Sequence, residues 1–265
     1  MKKRKFKLPV KIISILAIIL LVLSLLIGYI WKALTTSDFF TVKQVVVRNS
    51  NVSFDYLKGK NIFSLDLQAY SRQALLSCPD CRKIRFARVL PNRVLIDFVK
   101  RKPLALVKFY KNFAIDEEGL FFYPNNTVEF VGLPIIYGLE TKIFGPKPGV
   151  KYKRVEIKIA LDIINEFKNN RSFRGFTLKR IDVANAESAG FFILAPAQIV
   201  NYTKSNPQVE WVGFEVRVGE NNIREKMMVL GGLVTQAAKE WANIKYIDLR
   251  FKEPVIKLNN TGKDR

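Results

Sequence analysis

Hydrophobic and polar positions divide the chain into one continuous apolar run followed by many short periodic ones. Residues 12–31, IISILAIILLVLSLLIGYIW, carry no charge, and a stretch of this length spans a bilayer core as a helix. From Phe39 onward the apolar positions alternate or recur at helical spacing. FTVKQVVVR (40–48) reads as a strand rich in β-branched residues. A short helix follows, ending near Gly59. A second covers DLQAYSRQALLS with Ser64 or Asp66 as its cap and Leu67, Tyr70, Ala74 and Leu75 inward. RKIRFARVL and RVLIDFVKR are strands joined by a Pro91-Asn92 turn, with Val94, Ile96 and Phe98 on one face. Asp116 to Gly119 mark a hairpin turn.

Farther on, residues 153–169 place Val155, Ile159, Ile163 and Phe167 on one helical stripe. FTLKRIDVA, GFFILAP and VEWVGFEVRVG follow as strands. Residues 222–243 form a second helix carrying Ile223, Met227, Leu230, Val234 and Trp241. Gly231 and Gly232 each weaken a helix by about 1 kcal/mol relative to alanine, and close packing on a sheet is the expected reason for them. KYIDLRF (245–251) alternates again, with Ile247, Leu249 and Phe251 on one face. KEPVIKL comes next, its proline in the middle.

Composition narrows what these elements do. The 265 residues are 49% hydrophobic, enough for packed cores, and include no histidine, the commonest general base and metal ligand. The net charge is +21. Lys2, Lys3, Arg4, Lys5, Lys7 and Lys11 precede the apolar run, which sets residues 1–11 as a cytoplasmic tail, 12–31 as the anchor and the remainder as external. A cleaved signal peptide is the rival reading, but WKALTTSDFF offers a poor cleavage site. An external position removes nucleic acid as the partner for the basic surface.

Candidate chemistry is sparse. Cys78 and Cys81, in CPDC, are the only cysteines. Two thiols without histidine cannot close a zinc site, so a loop disulfide is expected over a redox dithiol. No Ser-x-x-Lys pair occurs. Asp116, Glu117 and Glu118 are adjacent carboxylates that a solvated turn explains. No glycine-rich phosphate loop is present. No catalytic residue, metal, cofactor or small-molecule substrate is expected.

Several stretches then carry a resemblance. NIFSLDL (61–67), IRFARVLPNRVLIDFVKRKPLAL (84–106), AIDEEGLFF (114–122), VGLPIIYG (131–138) and YIDLRF (246–251) occur in order behind a basic tail and one span. In that arrangement the chain resembles the FtsQ family of bacterial cell division proteins, called DivIB in other lineages. Lys100-Arg101, where the family often has Glu-Arg, and the short segment after the first strand depart from its pattern.

The resemblance implies an α+β fold with a single N-terminal transmembrane helix. A small β-α-α-β-β POTRA-like module follows at 39–110, then a larger, mostly antiparallel β domain with two helices at 111–258 and a polar tail at 259–265. It implies no enzyme but a divisome scaffold of septum formation in the cell (inner) membrane. Its partners would be FtsB/DivIC-like and FtsL-like single-pass proteins, other divisome components and membrane lipid. A membrane-tethered wall hydrolase or transpeptidase is the alternative. By position, Tyr246, Arg250 and Phe251 match the family's partner-contacting strand, with Arg250 as an anchor for a partner carboxylate. Val255 and Ile256 would line an edge open to another chain's strand, since Pro254 suits an edge and not a sheet centre.

Overall fold

A computed structural model describes residues 10–123, 131–198, 209–236 and 241–259. The basic tail and the polar tail therefore lie almost entirely outside the described residues. The chain divides into two compact units, residues 1–100 and 101–265.

The first unit begins with α1 (Val10–Thr36). Its Ser14–Thr36 portion is long and apolar enough to cross a membrane. Ser37 ends the run by accepting the Phe39 N–H on its hydroxyl, 3.3 Å away. Then come β1 (Gln44–Arg48), a 3₁₀ turn at Asp55–Leu57, α2 (Leu67–Leu76), β2 (Cys81–Val89) and β3 (Arg93–Lys100). The strands lie in the order β1-β3-β2, with β1 parallel and β2 antiparallel to β3. Asp66, not Ser64, caps α2, its Oδ1 accepting from the N–H groups of Gln68 and Ala69. This leaves two fewer orphan donors at the helix start. Val94, Ile96 and Phe98 are buried with Phe54, Leu57, Ile62 and Ile84.

Leu75, expected to point inward, is exposed. The face of α2 toward the sheet runs through Leu67, Ser71 and Ala74, with the Ser71 hydroxyl donating to the Ile84 carbonyl at 2.5 Å. One residue beyond Ala74 is a turn of about 100°, which carries Leu75 off that face.

The second unit contains β4 (Ala105–Lys108), β5 (Asn112–Ile115), β6 (Phe121–Phe122), β7 (Ile135–Tyr137) and α3 (Val155–Asn169). It continues with β8 (Thr177–Asp182), β9 (Gly190–Gln198), β10 (Val209–Arg217), α4 (Ile223–Gln236), β11 (Ile244–Asp248) and β12 (Val255–Leu258). Its strands form one sheet, β12-β11-β10-β9-β8-β7-β4-β5-β6. The pairs β4–β7, β7–β8 and β10–β11 are parallel and the other five antiparallel. The sequence reading placed 101–110 with the first module, whereas β4 pairs with β5 and β7 inside this sheet.

Ile159 and Ile163 of α3 and Met227 and Leu230 of α4 share one apolar layer with Phe113, Ile136, Ile181, Phe191, Ile193, Phe214 and Val216 of the strands. Val155, the first residue of α3, is exposed instead of completing the stripe. Gly231 packs against a turn and not a sheet: a Cβ there would lie 2.8 Å from Asn170 Nδ2 and 3.1 Å from Ser172 Oγ. Gly232 faces open space among the described residues. Residues 241–243 form a 3₁₀ turn, its Trp241 ring set edge-on to Phe176 at 4.8 Å.

Candidate partner-binding edge

Among the described residues, the two ends of the nine-stranded sheet differ. At one end, β6 is covered by the chain's own backbone: Phe121 N–H donates to Val150 O at 3.1 Å and Gly149 N–H to Phe121 O at 2.7 Å. At the other end, β12 is the terminal strand among the described residues, and all four of its residues are exposed.

The direction of the main-chain groups in β12 follows from the ladder. Leu249 N–H donates to Arg217 O at 2.8 Å, so Leu249 and Ile247 direct their polar groups to β10, and Tyr246 and Asp248 direct theirs to β12. In register, Tyr246 faces Lys257 and Asp248 faces Val255. Asn259 N–H donates to Asn243 O at 2.6 Å, fixing the same parity from the far end. Val255 and Lys257 therefore serve the intramolecular ladder, while Ile256 and Leu258 turn their N–H and C=O groups outward. Pro254, next in that outward series, has no N–H, which ends the donor row.

Directly opposed residues share a sheet face. Ile256 stands opposite Ile247 and Leu258 opposite Ile244, so both belong to the apolar face. Ile247 is 1% exposed, but Ile256 is 42% and Leu258 54% exposed. The apolar layer continues to the margin and is uncovered there.

The opposite face is polar and tightly tied. The Arg217 guanidinium lies over the Tyr246 ring at 4.3 Å and Lys257 Nζ lies 5.9 Å from the same ring. Arg217 Nε donates to Glu215 at 2.8 Å, and this bond raises the arginine's pKa. Arg250 closes onto Asp248, whose carboxylate is buried. Nε lies 2.9 Å from Oδ1 and Nη2 2.6 Å from Oδ2, and the Arg250 backbone N–H also donates to Oδ1 at 3.0 Å. The Arg250 side-chain bond holds the Asp248 pKa down against the opposing effect of burial. The adjacent Gly219 has φ +64, and a Cβ there would meet Glu187 O at 2.8 Å. Only glycine fits that turn.

The sequence-derived residues thus occupy different places. Val255 and Ile256 lie on the terminal strand, and Tyr246 on the strand inside it. Arg250 and Phe251 lie beyond β11 in the connection to β12, and Arg250 already spends Nε and Nη2 on Asp248. Phe251 does not share the buried face of Ile247 and Leu249: β11 ends at Asp248 and the ring is exposed. Sequence reasoning missed Leu258, Lys257 and Asp248. An alternating strand puts positions 248 and 250 on one side, so an Asp–Arg pair was available as a signal.

Other candidate groups have structural partners. Cys78 and Cys81 are joined as a disulfide. They and Asp80 form a compact group of possible ligands, but the bonded sulfurs are no longer thiolates. Asp116 is buried, pairs with Arg101, and accepts on Oδ1 from the N–H groups of Glu118 and Leu120 at 3.0 and 2.9 Å. Glu118 meets the same Arg101 at 3.1 Å. These contacts hold the hairpin turn.

No family model matches the sequence. The chain is similar to a protein named cell division protein FtsQ from Myxococcus fulvus (strain ATCC BAA-855 / HW-1), 28% identical over 104 residues, 39% of this chain and 36% of that protein. It is also similar to a cell division protein FtsQ from Geotalea daltonii (strain DSM 22248 / JCM 15807 / FRC-32), 19% identical over 238 residues, 86% of this chain and 80% of that one. In the first of these matches the chain spans about a third of the relative's length.

Proposed function

We propose that this chain is a membrane-anchored, non-enzymatic scaffold of the bacterial division machinery, of the FtsQ kind. Its N-terminus lies in the cytoplasm and both folded units outside the cell membrane, at the division septum. It holds FtsB-like and FtsL-like single-pass proteins by lending the outer margin of β12 to a partner strand. The observation that carries this reading is the asymmetry of the sheet, closed by residues 149 and 150 at β6 and exposed throughout β12. A strand laid beside β12 would receive the outward N–H and C=O groups of Ile256 and Leu258 and cover their side chains. Main-chain pairing of this kind supplies affinity and alternate side chains supply specificity. Tyr246 and Lys257 offer an aromatic and a cation on the other face. Arg250, held in place by Asp248, presents its remaining donors beside them, and Phe251 adds exposed aromatic area.

Ile256→Pro tests the proposal, because it deletes an outward donor and leaves the ladder to β11 complete. Full-length protein carrying it should lose co-purification with the FtsB-like partner while its circular dichroism stays that of the unaltered chain. Retained binding with an intact fold would reject edge pairing.

A further inference from the structure

The first unit holds a second feature, independent of what β12 binds. Beyond α1 the chain does not become a loose tether. Asn61 Nδ2 donates to Leu34 O at 2.9 Å and to Ser37 O at 3.4 Å, satisfying carbonyls at the end of the membrane helix. The Asn61 Oδ1 accepts from Phe63 N–H at 2.9 Å, so one carboxamide joins the helix end to the module's own loop. Leu34 and Thr35 are half-buried, unlike residues 14–33, which are exposed.

A short ladder extends this junction. Ile62 N–H donates to Phe40 O and Val42 N–H to Lys60 O, each at 2.9 Å, and Gly59 N–H donates to Val42 O at 3.0 Å. On the other side Lys43 N–H donates to Asn92 O at 2.8 Å. Segments 59–62 and 40–43 are thereby paired next to the helix exit, and Asn92, two residues past Leu90, joins them through Lys43.

This end of the module exposes large apolar side chains among its charged ones. Phe39 is 64% exposed and Leu90 56% exposed. Phe39 sits edge-on to Phe40 at 5.1 Å, and Phe40 to Phe63 at 5.0 Å. Lys43 and Arg93, both exposed, flank them. Aromatic and aliphatic tips with nearby cations are the composition that settles at a lipid–water interface. Phe39 follows the end of α1 by three residues, so the surface in reach is the bilayer from which the helix emerges.

We propose that Asn61 locks this module to its anchor in a fixed orientation, and that the end carrying Phe39 and Leu90 rests in the phospholipid headgroup layer. Leu90 is the informative position, since nothing but that orientation brings it to lipid. Val52 is an exposed apolar residue past the opposite end of β1, a strand about 16 Å long.

The test uses the full-length chain in nanodiscs of phosphatidylcholine and phosphatidylglycerol, with a nitroxide on Leu90→Cys or Val52→Cys. Cys78 and Cys81 are bonded to each other and do not take the label. The Leu90 label should collide more with oxygen than with aqueous nickel–EDDA, and the Val52 label the reverse. Adding Asn61→Asp keeps the acceptor for Phe63 but offers no N–H to Leu34, and should move the Leu90 label into the aqueous class with the Val52 line shape unchanged. Should that line shape change, Asn61→Ser, too short to reach Leu34, replaces it. A water-exposed Leu90 label in the unaltered background overturns the docking. An unmoved label in the Asn61 variants overturns the lock.

Discussion

Arg250 folds back onto Asp248, two residues earlier, with Nη2 2.6 Å from Oδ2 and Nε 2.9 Å from Oδ1. The carboxylate is buried and the guanidinium half-exposed, so the pair stiffens the exit from β11 just before the chain turns into β12. Asp248→Asn keeps the shape and removes the charge. It should lower stability by about 1.5–3 kcal/mol, the range for hydrogen bonds involving a charged group, read from the urea midpoint in detergent. Arg250→Glu would place two carboxylates together, so it tests the fold as much as any interface.

The same pair sets a pH dependence. The Arg250 hydrogen bond holds the Asp248 pKa below its ordinary value. A lowered native pKa contributes stability that is present above the unfolded carboxylate value of about 3.9 and is lost as pH falls through the native one. The urea midpoint should therefore fall on acidification below about pH 4. In Arg250→Ala the midpoint should already be lower at pH 7, and the further fall on acidification should be smaller.

Proline scanning separates the two sides of β12. Ile256→Pro removes an outward donor and should leave the urea midpoint nearly unchanged. Lys257→Pro removes a group directed at β11 and should cost about 1–3 kcal/mol. Equal effects at the two positions would contradict the parity derived from the Leu249 and Asn259 hydrogen bonds.

Adjacent glycines of α4 should respond oppositely to alanine. At Gly231 a methyl group would press on Asn170, which accepts from Ser172 N–H at 2.9 Å and donates to Met227 O at 3.3 Å. Gly231→Ala should destabilise by about 1–3 kcal/mol. At Gly232 nothing lies within 4 Å among the described residues, and Gly232→Ala should stabilise by about 0.4–1 kcal/mol through reduced freedom of the unfolded chain. Thermal unfolding of the two variants reads both.

The apolar periodicities were legible because burial follows them: Val94, Ile96 and Phe98 alternate inward, and Ile159, Ile163 and Phe167 form the stripe of α3. What local pattern cannot carry is pairing between distant segments. KPLALVK looks like the tail of the first module, yet β4 finds its partners in β5 and β7. Gly231 reads as sheet packing until Asn170, 61 residues earlier, is seen against it. At the candidate edge, KEPVIKL and its proline point to a sheet margin, and β12 is the terminal strand among the described residues. The alternation through Leu249 to Phe251 did not show that the strand stops at Asp248, where Arg250 turns back to its own carboxylate.

Backbone amide exchange, resolved residue by residue in β12, tests the edge-pairing claim most directly. In the isolated chain the Val255 and Lys257 amides should be protected by β11, and the Ile256 and Leu258 amides should exchange rapidly. On adding the proposed FtsB-like partner, Ile256 and Leu258 should become protected while the Val255 and Lys257 rates stay low. A complex that forms with Ile256 and Leu258 still exchanging rapidly would contradict the account.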